Sequence, residues 1–171
     1  MKQVFEQAVQ GRAFEYAVIP VAGIVFSPEL YETCATNVCG SYNKCWTCPP
    51  AIGSLETQKE KIMAFSSAFV FTTKANLDDS FDYEGMMKAK QQHDQLTFEM
   101  HERFSRGNPV YGAGRCSICE TCAYPEPCRF PDRKVSSIEA AGINVTELSR
   151  LAGLRYNNGE NTVTYFSMIL F

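Results

Sequence analysis

Cys116, Cys119 and Cys122, followed by Cys128, give the spacing C-x2-C-x2-C-x5-C. Thiols at steps of three can cap adjacent corners of one inorganic cluster, and the run is close to the bacterial iron-sulfur pattern C-x2-C-x2-C-x3-C-P with a longer last interval. Zinc is less well served, because a tetrahedral ion usually takes two C-x2-C knuckles from separate turns rather than three sulfurs from one short patch. Cys34, Cys39, Cys45 and Cys48 form a second group, spaced C-x4-C-x5-C-x2-C and followed by Pro49 and Pro50. A proline beside a ligand removes a backbone donor, fixes φ and turns the chain away from the metal.

These two groups contain all 8 cysteines of the chain. Four and four suit two [4Fe-4S] clusters, with a single cluster or zinc as the alternatives. Crossed ligation is also open, since in two-cluster ferredoxins the fourth cysteine of a run serves the other cluster. An even cysteine count fits a secreted disulfide framework as well. The start, Met-Lys-Gln-Val-Phe-Glu-Gln, lacks the apolar core of a signal peptide, so the expectation is a cytoplasmic protein with reduced thiols.

At 171 residues with 45% hydrophobic content, residues 1–171 are expected to form a single domain that buries a core without help from metal. The thiols then look like cargo on a scaffold. Net charge is -3 with the 16 basic residues scattered, which argues against nucleic acid, and no apolar run approaches the length of a membrane span.

The elements that must carry the loops follow from periodicity and caps. A short helix is expected over 2–10, then an apolar strand over 14–26 with Pro20 and Gly23 marking an edge or bend. Ser27 and Pro28 open a helix leading into Cys34, and Ser54 caps another running to about Phe65. Ser-Ala-Phe-Val-Phe-Thr-Thr reads as a strand. Asp82 caps the longest helix, with Met86, Ala89, His93, Leu96, Met100 and Phe104 on one stripe. A short strand over 108–114 delivers the chain to Cys116. Ser137 is expected to cap a single helical turn ended by Gly142, and Asn144 with Glu147 a better helix closed by Gly153. Leu154 to Tyr156, the turn at Asn157 to Glu160, and Thr162 to Phe171 read as a hairpin whose last strand is apolar on both faces and therefore central. The fold class expected is α/β, with α+β as the alternative: a mixed sheet of four to five strands, flanking helices and two cysteine-rich metal loops.

With both loops placed, the chain resembles a family of predicted metal-binding proteins, a domain of unknown function from bacteria and archaea. The carriers are Cys34-Ala-Thr-Asn-Val-Cys39-Gly-Ser-Tyr42, Trp46-Thr-Cys48-Pro-Pro-Ala-Ile-Gly53, Gly114-Arg-Cys116 through Cys128-Arg-Phe-Pro131, Ser137 through Val145, and Thr162-Val-Thr-Tyr165. Membership implies metal or iron-sulfur binding through the cysteines. In the family pattern Cys34, Cys39 and Cys48 are the firmer members of the first group, and the place of Cys45 often carries another residue. Without Cys45 the first site has three thiols, completed by an outside ligand or left with one iron open to a substrate.

Two complete sites imply electron relay to a redox partner protein, because thiolate-held clusters change oxidation state with little protein movement. The alternatives are a cluster-dependent enzyme with an open iron and a zinc-bound structural or interaction module. Arg115 and Arg129 flank the second loop and Lys44 sits inside the first, and they either balance cluster charge, receive an anionic substrate, or are solvated surface charge. Trp46 and Tyr42 either wall a cluster from water or anchor a loop. His93 and His101 carry no expected catalytic role, and Asp78, Asp79 and Asp82 read as a solvated helix entrance. No P-loop, dinucleotide fingerprint or nucleophile elbow is present, so enzyme status stays open, as do the partner's identity and the oligomeric state.

Overall fold

Two runs of β-branched and aromatic residues far apart in the chain, one starting at Ser67 and one at Thr162, find each other and set the frame. The computed structural model describes all 171 residues, Met1–Phe171. In chain order the elements are helix α1 (Lys2–Val9), strand β1 (Glu15–Pro20), helices α2 (Pro28–Thr33) and α3 (Leu55–Met63), strand β2 (Ser67–Asn76), helix α4 (Tyr83–Phe104), strands β3 (Val110–Gly112) and β4 (Ser136–Ser137), helix α5 (Val145–Ala152) and strand β5 (Thr162–Leu170). The five strands form one mixed sheet in the order β1-β2-β5-β3-β4. Pairing is antiparallel except between β3 and β4.

Side chains alternate across a strand, and here both faces are covered. Ala68 and Val70 of β2 with Phe166, Met168 and Leu170 of β5 face a core completed by Ile62 of α3 and Leu148 of α5. Phe69, Phe71 and Ile169 point the other way, onto Phe5 and Val9 of α1 and Leu96 and Met100 of α4. The architecture is therefore a single α/β domain with a five-stranded sheet between two helical layers, and β5 is central as its two apolar faces require.

The expected caps form. Ser27 accepts from Leu30 N, Ser54 from Thr57 N, Asp82 from Gly85 N and Asn144 from Glu147 N, while Gly153 closes α5 with φ 65°. The acidic loop at Asp78 to Asp82 is a helix entrance, with Asp82 also accepting from Asp78 N at 3.2 Å. Two expectations change and a third gains a strand. The strand from residue 14 ends at Pro20 and turns into a short 3-10 segment, Val21–Gly23. Ser137 caps its turn as expected, its hydroxyl accepting from Ala140 N at 2.9 Å, and is also the last residue of β4, because the two-residue pairing with β3 holds its backbone as a strand. Residues 154–156 do not pair with β5, which is claimed on both sides by β2 and β3; Arg155 instead binds Glu15 at 2.9 Å.

Gly142 ends that turn at φ 76°, and a Cβ there would lie 2.2 Å from Leu55 Cδ1. Its carbonyl accepts from Ser27 N at 2.8 Å, so the same residue fixes the start of α2. Gly142→Ala is expected to destabilise the fold by about 1–3 kcal/mol through left-handed strain and displacement of Leu55. The check is a lower urea midpoint with an unchanged m-value.

A buried polar chain ties α4 to the sheet. His93, fully buried, bonds Thr73 Oγ1 through Nδ1 and Ser167 Oγ through Nε2, both at 2.8 Å. Ser167 Oγ lies 2.8 Å from Thr97 Oγ1, which donates to the His93 carbonyl at 2.9 Å. His93 thus sits on the core stripe as a satisfied structural residue. No helix is long and apolar enough to cross a membrane.

Candidate metal centre

Both cysteine segments are irregular backbone held by local bonds. The first leaves α2 through a 3-10 turn, Cys34–Thr36, that ends at Asn37 with φ 56°. Asn37 Oδ1 then accepts from Tyr42 N at 3.0 Å, and Asn43 N donates to the Pro49 carbonyl at 2.9 Å, folding Cys39 and Cys48 toward Cys34. The second segment connects β3 to β4. Arg129 donates to the Thr121 carbonyl at 3.0 Å and Arg115 weakly to the Glu120 carbonyl at 3.4 Å, so both arginines reach the loop's own backbone.

The two segments interlock. Trp46 Nε1 donates to the Glu126 carbonyl at 2.8 Å, and its ring meets Tyr124 edge-on with centroids 4.9 Å apart. Tyr124 donates to Asn43 Oδ1 at 2.9 Å. Cys116 N donates to the Thr47 hydroxyl at 3.2 Å, and that hydroxyl lies 3.3 Å from Cys45 Sγ. Trp46 therefore anchors one loop to the other while also lining a cavity there. Sequence reasoning missed Thr47 and Tyr124, although each sits inside a cysteine spacing; Glu139, on the turn after β4, had no local signal.

The thiols divide three and five. Cys34, Cys39 and Cys48 line a cavity of about 350 Å³ with Ser41, Tyr42, Arg115 and Glu139. Cys45, Cys116, Cys119, Cys122 and Cys128 line another, walled by Trp46, Ile118 and Phe130. Cys45 stands between them, its thiol facing both Cys48 and Cys122. The structure thus places Cys45 against the second group while keeping it beside the first, and two segments, Cys45 to Cys48 and Arg115 to Cys116, run from one cavity to the other.

Ionisation is uneven. Cys45 ionises more readily than a free thiol because Cys48 donates to it, with help from Thr47 and Cys122 against the cost of burial. Cys48 is pushed up for the complementary reason, holding its proton toward Cys45 in a buried position. Burial raises Cys34, reinforced by Cys39 and Glu139. Burial also raises Cys116, opposed by backbone N–H groups of Ile118 and Val135. Such N–H donors stabilise a thiolate whether or not metal completes its charge balance.

The donor set fits a thiolate-held metal group, since five thiols and no carboxylate line the second cavity and three thiols line the first. Size separates the two. The first cavity has room for a bulky group, whereas the space among the five thiols is about 20 Å³, near that of one water, and a cluster there requires the 116–128 loop to move outward. No three Cys, His, Asp or Glu side chains converge tightly enough to hold one ion.

Neither a curated protein nor a solved structure matches the chain. The family model described as predicted metal-binding protein, DUF2284, matches residues 17–171, which takes in every cysteine, all five strands from Ala17 onward and both interlocked loops. With eight cysteines gathered around two adjoining cavities inside that span, the chain belongs to the DUF2284 family of predicted metal-binding proteins.

Proposed function

We propose that the protein is an iron-sulfur redox protein that carries up to two [4Fe-4S] clusters and passes electrons to a partner protein. The observation that carries this reading is that the two thiol-lined cavities adjoin, with Cys45 to Cys48 and Arg115 to Cys116 each running from one to the other. Bound clusters would supply reversible one-electron storage at thiolate sulfur. Cys34, Cys39 and Cys48 would hold one group, and Cys116, Cys119, Cys122 and Cys128 the other, with Cys45 at the boundary. Thr47 fixes the relative position of the two sets by bonding Cys45 and the Cys116 backbone together. The Ile118 and Val135 N–H groups favour a charged sulfur at Cys116, which is how a protein tunes a thiolate centre. Trp46, Ile118 and Phe130 screen the second set from water.

The narrowness of the second cavity, too small for a cluster as it stands, supports one other reading there: a single zinc ion that draws the loop thiols, not yet converged on one point, in around it and pins the two loops while the first centre does the chemistry. Anaerobic purification with iron, sulfide and zinc analysis and a visible spectrum before and after dithionite separates them. About eight iron and eight sulfide per chain, with absorption that bleaches, are expected. About four of each with one zinc moves the second centre to a structural role. Zinc with no sulfide after reconstitution would sink the redox reading.

A further inference from the structure

We infer that the three-thiol cavity is a binding site for a small carboxylate carrying a neighbouring hydroxyl or amine, held by Arg115 at its anionic end and by Glu139 at its donor end. The inference rests on the iron-sulfur reading above and adds the ligand of the first centre. Three protein thiols leave a cubane one corner short of four, and Cys45, the candidate for that corner, lines the neighbouring cavity. The walls beside the thiols differ from those of the second cavity, where Arg129 and Lys134 stand among Trp46, Ile118 and Phe130 with no carboxylate: here an arginine and a carboxylate, Arg115 and Glu139, occur together with Ser41, Ser137 and Tyr42.

Arg115 and Glu139 are both exposed and neither belongs to any ion pair, although both line one cavity. Arg115 has one weak bond, at 3.4 Å, to a backbone carbonyl, so most of its five donors face the cavity or solvent unspent. The Tyr42 hydroxyl bonds nothing in the protein, whereas its backbone is fixed by Asn37. Glu139 lines this cavity together with Cys34 and Cys39, and the same three residues meet again in the neighbouring surface hollow, which puts a carboxylate beside the thiols. A plain anion would be drawn to Arg115 and repelled by Glu139. A carboxylate with an adjacent hydroxyl or amine satisfies both, and the same two groups can chelate an open metal corner. A volume of about 350 Å³ admits a ligand of this size beside a cluster.

The test uses the full chain, reconstituted anaerobically, with iron and sulfide measured on every sample. Glycolate and acetate are titrated into the dithionite-reduced protein and read by electron paramagnetic resonance, with dissociation constants from the spectral shift. Glycolate is expected to shift the spectrum and bind several-fold tighter than acetate. Arg115→Ala is expected to weaken glycolate about tenfold or more, the usual worth of a charge-assisted contact, with Arg115→Lys in between. Lys44→Ala, which lies outside the cavity, is expected to bind like the wild type. A fully loaded protein whose spectrum ignores glycolate would overturn the inference and leave the iron-sulfur reading standing. Equal binding of acetate and glycolate, or wild-type affinity in loaded Arg115→Ala, would overturn it as well. Absence of iron and sulfide would overturn the reading beneath it, and the metal analysis tells the two failures apart.

Discussion

Serine in place of Cys39 is expected to remove about half of the bound iron and sulfide, and serine in place of Cys119 to remove the other half. The two thiols line different cavities, and neither is buried, so the substitutions spare the core. Cys45→Ser decides the partition. With the thiols divided three and five, the second group keeps four cysteines without Cys45 and the iron count stays near the wild-type value. With a four-and-four division the first centre loses a ligand, and iron falls to about half or becomes labile to chelator. A Cys39→Ser protein that retains all its iron would show that the 350 Å³ cavity is not a metal centre, whatever the second site holds. Circular dichroism alongside each measurement separates loss of metal from loss of fold.

The second large effect has nothing to do with metal. His93 is held down from its ordinary 6.5 to about 3, first by burial and then by the nearby Lys90 ammonium. Lys90 is itself paired with Asp94 at 2.6 Å. The hydrogen-bond order explains why the neutral ring is satisfied. Thr97 spends its proton on the His93 carbonyl, so it accepts from Ser167; Ser167 then accepts from Nε2–H, and Nδ1 accepts from Thr73. Because the folded pKa is depressed, the unfolded chain binds the proton first as pH falls. Stability attributable to His93 is therefore complete above about pH 6.5 and is lost progressively down to about pH 3, by up to about 1.4 kcal/mol per unit. His93→Gln lacks the titration but strands hydroxyls of the chain, costing about 1–3 kcal/mol at neutral pH. Urea unfolding of the two proteins between pH 7 and 4.5 is expected to show their stabilities converging by about 2–3 kcal/mol. Parallel curves would mean that His93 is reached by protons in the native state.

Much of the scaffold could be read before any coordinates. Ser27, Ser54, Asp82, Asn144 and Gly153 sit at helix ends because their side chains or their left-handed backbone answer the unpaired groups there, a local matter that sequence carries well. The centrality of residues 162–170 followed from two apolar faces. What failed was pairing at a distance. Residues 154–156 resemble half of a hairpin locally, but β2 offers nine partners to β5, from Ala68 with Leu170 to Asn76 with Thr162, and no local signal outweighs that. Ser137 likewise became a strand residue only because Gly112 lay beside it. At the site, the cysteine groups were plain in the spacing, while their division was not. Cys45 and Cys48 sit in one C-x2-C step, yet the intervening Thr47 is pulled toward Cys116 and turns the two thiols into different cavities. Glu139 lay in a segment that the family resemblance had marked, but nothing local tied it to the thiols, since its place beside Cys34 exists only once β4 has docked.

The position of β5 between β2 and β3 also orders events in the life of the chain. Cys34 to Cys48 belong to the part of the fold built around β1 and β2, and Cys116 to Cys128 hang between β3 and β4. Residues 162–170 join these halves within the sheet, and a short pairing of Val25 to Ser27 with Gly142 to Asn144 adds a second link. A ribosome delivers all eight thiols before it delivers that strand, so for the seconds this takes the two cysteine segments emerge as separate, unscreened thiol clusters. Metal delivered during that interval would meet single loops rather than the two adjoining cavities. On the proposed function, loading of both centres is expected after β5 has inserted, and a chain that meets no metal is expected to persist as folded protein with bare thiols rather than as unfolded chain.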